Sequence, residues 1–382
     1  MMSSSTIEIS ESALRNNIDF LKSTLGASCQ FSAVIKGHAY GHGIETYAPL
    51  AEKCGVNHFS VFSAREAFKA KEVLNGSRLM IMGFIDQSDL QWVIENDVSF
   101  FVFERVRLET ALETAKKLKK PARIHIEFDT GMNRTGFAKK ELKPLIEIIK
   151  SNQEHLIVEG FCTHYAGAES ISNHVRVRQQ IKAFKQLDVW MVKNGIVPIA
   201  RHTACSAAAM SYPKTRMDMA RVGIMQYGFW PNRETFINYL SGKTDKTDPL
   251  KRVITWKSKI MTTHMVRPGE FIGYGTSYMA ENDTKIGIVP VGYAHGYSRS
   301  LSNQGRVLIN GQRIGVIGVV NMNMLIVDIT NIPESKVGDE VVLIGKQDDL
   351  EISVSSFGEL SIQLNYELLT RLPQDIPRIV TP

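Results

Sequence analysis

The sequence predicts an α/β protein: an N-terminal (β/α)8 barrel of the TIM type followed by a C-terminal, mostly β domain. Three observations carry that expectation. Eight short β-rich runs alternate with helically spaced stretches up to about residue 230, as repeated parallel βα units do. An open doubly wound sheet would carry a Gly-x-Gly-x-x-Gly turn near its start, and this chain has none. After about residue 235 the helical spacing fades, and strands and turns take over.

The opening run STIEIS reads as a strand that joins the C-terminal domain, which leaves the barrel to span residues 12–235. The barrel strands are expected at 31–36, 58–63, 78–83, 98–103, 122–129, 156–164, 199–206 and 221–228. Between them, AREAFKAKEVL, VRLETALETAKKLKK and KELKPLIEIIK show apolar residues at helical spacing. The polar, turn-rich NYLSGKTDKTDP reads as a linker. The second domain, 236–382 together with residues 1–11, carries the strand candidates VITWKSKIM, KIGIVPVGY, RVLI, QRIGVIG, MLIVDIT and DEVVLIG. Asn310-Gly311 between two of them is a two-residue hairpin signal.

Composition narrows the function classes. With 382 residues, 43% hydrophobic and 22% charged, the chain is long enough for one large domain and a smaller one. A net charge of +6, scattered along the chain, gives no nucleic-acid footprint. No apolar run approaches the roughly 20 residues of a membrane span, and the start lacks a signal-peptide pattern. Cys29, Cys54, Cys162 and Cys205 lack both a CxxC pair and disulfide-framework spacing, so buried reduced thiols and a cytoplasmic location are expected. No metal site is expected.

Barrel chemistry sits where strands end. The expected strand ends offer Lys36 with Tyr40 behind it, then Glu127, Asp129 and Arg134. Further along come Thr163 and His164, His202 and Ser206, then Arg221, Gly223 and Tyr227. A lone strand-end histidine is most often a satisfied polar residue; the convergence is what points to a site. A desolvated lysine can bind an aldehyde cofactor covalently. Pyridoxal 5'-phosphate needs such a lysine, a phosphate cradle and a partner for its ring nitrogen. Ser206 and the backbone around Gly223 and Ile224 suit the phosphate.

AVIKGHAYGHG resembles the cofactor-lysine signature of the alanine racemase family. The likeness continues in order through DTGMNRTGF, GFCTHYA, HTACSAA, MARVGIMQYG, GYGTSYMA, VPVGYAHGYSR and NYELL, over essentially the whole chain. The resemblance implies a pyridoxal-phosphate-dependent racemase that supplies D-alanine for peptidoglycan. It implies Lys36 as cofactor anchor and base on the D-face, with Tyr274 as base on the L-face. Tyr40, Ser206, Gly223 and Ile224 would hold the phosphate. His164 would lie against the ring and link Tyr274 to Arg221, and Arg221 would face the ring nitrogen. Arg134 and the backbone of Met322 would receive the substrate carboxylate. The implied assembly is a head-to-tail homodimer with shared active sites.

Three positions depart from the family pattern. Glu127 stands where many relatives carry a carbamylated lysine, and would supply its negative charge directly. Asn323 replaces an aspartate, and Gln374 falls where a tyrosine often reaches the phosphate. Other readings are a racemase of broader specificity (serine foremost), a non-catalytic cofactor-binding protein, and a decarboxylase of similar barrel. Tyr274 weighs against the second of these, and Arg221, in place of a carboxylate, against the third.

Overall fold

The computed structural model describes residues 3–354 and 365–382. Two compact units divide the chain: residues 13–37 with 48–251, and residues 1–12, 38–47 and 252–382. Strand β1 (Ser5–Ser10) belongs to the second unit.

The first unit is the barrel. Its strands are β2 (Gln30–Val34), β3 (His58–Val61), β4 (Arg78–Ile81) and β5 (Ser99–Val102). They continue with β6 (Ala122–Glu127), β7 (Leu156–Cys162), β8 (Ala200–His202) and β9 (Met219–Val222). All pairings are parallel, in the order β8-β7-β6-β5-β4-β3-β2-β9. A parallel bridge between Cys205 and Arg221 brings the two ends of the sheet together. Eight helix-linked parallel strands that nearly close are the predicted architecture.

All eight strands end before the expected runs do, two of them by four residues or more. The run at 199–206 yields strand only to His202, and Ser206–Ser211 is helical. The run at 221–228 yields strand only to Val222, after which Ile224–Tyr227 forms a 3-10 turn closed by Gly228 at φ 91°. Side chains explain that turn. Gln226 Nε2 donates to the carbonyls of Val34 (3.0 Å) and Val222 (2.8 Å), and Tyr227 Oη donates to Val34 O (2.9 Å). The apolar residues bury by coiling instead of extending.

Residues beyond 235 stay with the barrel as far as Lys251. Helix Arg233–Leu240 continues the unit, Trp230 Nε1 donates to Asp248 (2.8 Å), and Asn16 Nδ2 donates to Pro249 O (2.8 Å). The barrel interior is unusual. Branched apolar layers normally fill it, yet Ser32, His58, Ser60, His125, His202 and Arg221 are all buried here.

The second unit is a β sheet built on β1, β10 (Ile254–Lys259), β11 (Thr262–Val266), β12 (Thr284–Val289) and β13 (Arg306–Ile309). It is completed by β14 (Gln312–Ile317), β15 (Leu325–Asp328), β16 (Glu340–Gln347), β17 (Leu350–Ile352) and β18 (Arg378–Thr381). The order is β11-β12-β15-β14-β13-β16-β10-β1-β18, with β17 on β16. The opening strand pairs antiparallel with β10 and parallel with β18. Asn310 (φ 49°) and Gly311 (φ 69°) join β13 to β14, as the Asn-Gly pair predicts. No helix among the described residues is long and apolar enough to cross a membrane.

Candidate active site

Lys36 follows the end of β2 directly. Its side chain opens to solvent at the strand end, yet protein crowds it on the remaining sides. Burial lowers the amine pKa, Arg134 and then Arg221 add to the fall, and Glu66 opposes it. Glu66 also fixes the backbone there. One carboxylate oxygen accepts from Gly37 N–H (2.7 Å) and the other from Phe62 N–H (2.8 Å). Its own N–H donates to the Ser63 cap of helix Ala64–Val73.

Arg221, on β9, is 5% exposed, and both terminal nitrogens of its guanidinium are engaged. Nη1 donates to His202 Nδ1 and to His202 O (2.6 Å), and Nη2 to Thr163 O (2.8 Å) and Thr203 O (3.5 Å). The expected link from Arg221 to His164 is electrostatic only. Burial, then Arg221, Arg134 and Lys36, hold the His164 pKa at about 3, so its ring is neutral.

Ser206 opens its short helix beside the end of β9, and its Oγ accepts from Gly223 N–H (2.9 Å). The 3-10 turn starts at Ile224. One hydroxyl and the first N–H groups of two turns therefore lie together. The loop after β6 presents Arg134. Asp129 Oδ1 accepts from the N–H groups of Gly131 (2.9 Å), Met132 (3.0 Å) and Asn133 (3.1 Å). A Cβ on Gly136 (φ 114°) would lie 2.5 Å from Asp129 N, so the loop's return needs glycine. Arg134 is exposed and, among the described residues, forms no ion pair with Glu127 or Asp129. Glu127 is buried. Burial raises its carboxyl pKa, against a Thr135 hydrogen bond and the charges of Arg221 and Arg134.

The second unit, which at this turn begins with His38, holds the other expected residues. Gly37, His38, Ala39, Tyr40 and Gly41 all have positive φ (61°, 54°, 53°, 51° and 81°), so the short helix Lys36–Tyr40 winds left-handed. Three of the five are not glycine, and each costs about 1–2 kcal/mol. His42 Nδ1–H caps the turn by donating to the carbonyls of Ala39 and Tyr40, both at 3.0 Å. Gly41 O accepts from Arg378 Nη2 (2.9 Å). A Cβ on Gly41 would lie 1.9 Å from Leu369 O. The turn seats Tyr40, which is buried, with its ring 6.0 Å from that of Tyr366. Gln374, in the following turn, is exposed.

Tyr274 stands between Gly273 (φ 79°) and Gly275 (φ 68°) at the tip of a loop pinned by Ile272 N–H to Tyr278 O (2.9 Å). It is 72% exposed, and Met322 is 56% exposed. The Met322 carbonyl accepts from Ala294 N–H (2.9 Å), and Asn323 beside it is exposed. No metal-ligating cluster occurs among the described residues. Motif reading passed over Glu66, the hydrogen bond from Arg221 to His202, and the left-handed turn. The glycines at 37, 41 and 43 were the available signal for the turn.

The fold and its strand-end groups define a class: (β/α)8-barrel proteins with a lysine at the end of a barrel strand, here with an added β domain. Residues 9–231 match the alanine racemase N-terminal domain family, and residues 253–380 the alanine racemase C-terminal domain family. An alanine racemase of Leptospira interrogans is 34% identical over 379 residues, covering 99% of this chain and 96% of the relative. The alanine racemase of Bacillus anthracis with bound L-Ala-P superposes with a TM-score of 0.90 at 29% identity, over 100% of this chain and 96% of that one. The alanine racemase of Bartonella henselae with covalently bound pyridoxal phosphate gives 0.84 at 25% identity, with both chains covered in full. The chain belongs to the alanine racemase family, enzymes that interconvert the two enantiomers of alanine.

Proposed function

We propose that this enzyme racemises alanine with pyridoxal 5'-phosphate anchored on Lys36 and two bases on opposite faces of the substrate. One observation carries the reading: the strand-end amine of Lys36 has a lowered pKa between Arg134 and Arg221. The donor set fits the cofactor. Ser206 Oγ and the N–H groups of Gly223 and Ile224, with Tyr40, suit a phosphate, and Arg221 suits a ring nitrogen. When bound, the cofactor withdraws electrons from the substrate's α-carbon and acidifies its proton.

The chain's own residues do the rest. Arg134 and the Met322 N–H orient the substrate carboxylate. Lys36 Nζ exchanges the α-proton on the D-face, and Tyr274 Oη on the L-face. Two fixed bases serve both enantiomers without either having to cross the substrate plane. Arg221 is always charged, so it donates to the ring nitrogen and keeps a proton off it. Neutral His164 would pack beside the ring.

A proton-transfer group that is 72% exposed works poorly alone. The exposure of Tyr274 and Met322 supports a head-to-tail homodimer in which each reaches the partner's site. The anchor is tested by borohydride reduction of the coloured enzyme, followed by peptide mapping. The cofactor mass should appear on the Lys36 peptide, and Lys36→Ala should lose both the label and turnover. Label on another lysine, or turnover kept without Lys36, overturns the assignment.

A further inference from the structure

Helix His174–Lys193 buries Val177, Gln180, Phe184, Leu187 and Met191, which recur three or four residues apart and form one face. Gln180 interrupts the apolar run of that face and is 1% exposed. A buried amide is costly unless its donors and acceptor are met. Here they are met by the two strand-end segments that carry His164 and Arg134.

Gln180 Oε1 accepts from Ala166 N–H (2.9 Å), and Nε2 donates to His164 O (3.0 Å). One amide thus closes the turn His164-Tyr165-Ala166 from both ends. Among the described residues, no other hydrogen bond reaches His164 O or Ala166 N–H. The flanking groups are held elsewhere. Thr163 O accepts from Arg221 Nη2, and Gly167 O from Asn173 Nδ2 (3.2 Å). The turn between them depends on Gln180.

The second Nε2 hydrogen serves the other segment. Thr130 Oγ1 accepts it at 3.3 Å and lies 2.8 Å from Thr163 Oγ1, whose own proton goes to Phe128 O (2.8 Å). Thr163 has one proton and spends it on a carbonyl, so Thr130 donates to Thr163 and accepts from Gln180. The amide's orientation is fixed in the same way, because Ala166 N–H only donates and His164 O only accepts. The loop of Arg134 has further supports: Arg176 Nη2 donates to Gly131 O (2.9 Å), and Asp129 shapes the loop from within. The two ends of the His164 turn have Gln180.

We propose that Gln180 is a positioning residue for His164, its side-chain amide holding both ends of the turn that carries the histidine. The consequence for the reaction rests on the placing of His164 beside the cofactor ring. Hydrogen exchange of the cofactor-loaded enzyme, resolved to single amides, tests the hold. Circular dichroism of the cofactor's absorption band tests the consequence.

Gln180→Leu keeps a side chain of similar size and removes both bonds to the turn. Ala166 N–H should then exchange roughly 10-fold faster while barrel-strand amides keep their rates, and the cofactor dichroism should fall. Gln180→Met, unbranched like glutamine, carries the same test if the leucine variant does not fold. Thr130→Val removes the third partner of the amide and leaves the turn's two bonds, so it should change neither readout. Unchanged Ala166 exchange without Gln180, faster exchange spread evenly over the barrel, or an equal effect of Thr130→Val overturns the proposal. Faster exchange confined to the turn with unchanged dichroism upholds the hold and overturns the placing of His164 at the ring.

Discussion

At the scale of single residues, charge type decides more than position. Lys36 and Arg134 both carry basic groups near strand ends, yet only the lysine has an amine that can bind an aldehyde, and burial lowers that amine's pKa. Tyr274 supplies the opposite-face base under our reading, and its role has a measurable asymmetry. The enantiomers have equal free energy, so Tyr274→Phe must lower kcat/KM equally in both directions, by roughly 10²- to 10⁴-fold for loss of a general base. Exchange with solvent separates the faces. In D2O, D-alanine should still take up α-deuterium through Lys36, while L-alanine should not. Equal exchange from both enantiomers would remove Tyr274 from proton transfer. The proposed site residues could be picked from the sequence because each sits at a strand end or in a motif, as Ser206 and Arg221 do. Glu159 was not legible. Its placement beside the buried histidines comes from a bulge and from Gly160 opposite two rings, and neither the spacing nor the type of residue announces three-dimensional coincidence of that kind.

At the scale of elements, the left-handed turn after Lys36 is the costliest conformation described. Gly41→Ala tests how tightly it is built. The substitution combines φ 81° with a Cβ placed 1.9 Å from Leu369 O, whereas Gly26 has φ 86° and open space around it. Gly26→Ala should therefore cost about 1–2 kcal/mol, and Gly41→Ala clearly more, in urea-unfolding midpoints. Matching costs would mean that the backbones at 41 and 369 are not in close contact. Strand positions were legible throughout the barrel because short apolar runs bounded by turn residues have few other uses. The ends were less so. Ile224–Tyr227 carries a strand-like composition, but Gln226 and Tyr227 hydrogen-bond back to β2 and coil the segment. Long-range side-chain bonds of that sort override local preference.

At the scale of the whole molecule, the homodimer proposed above predicts that two inactive proteins restore one another. Lys36→Ala mixed with Tyr274→Phe should form heterodimers with one intact site, recovering about a quarter of wild-type activity after random exchange of equal amounts. No recovery after demonstrated exchange would assign Lys36 and Tyr274 of one chain to a single site. The two-unit organisation was legible from the change of texture near residue 235, whereas the assignment of residues 38–47 to the β unit was not. That segment lies inside a barrel-like stretch of sequence, and only its contacts place it. The sheet of this unit carries one more consequence. Strand β1 lies between β10 and β18, so the earliest of the described strands pairs with the latest. At roughly 5–20 residues per second, the ribosome delivers Thr381 some 20–70 s after Ser10. For that interval the strand's edge toward β18 has no native neighbour, and the growing chain must keep it from pairing with a stranger.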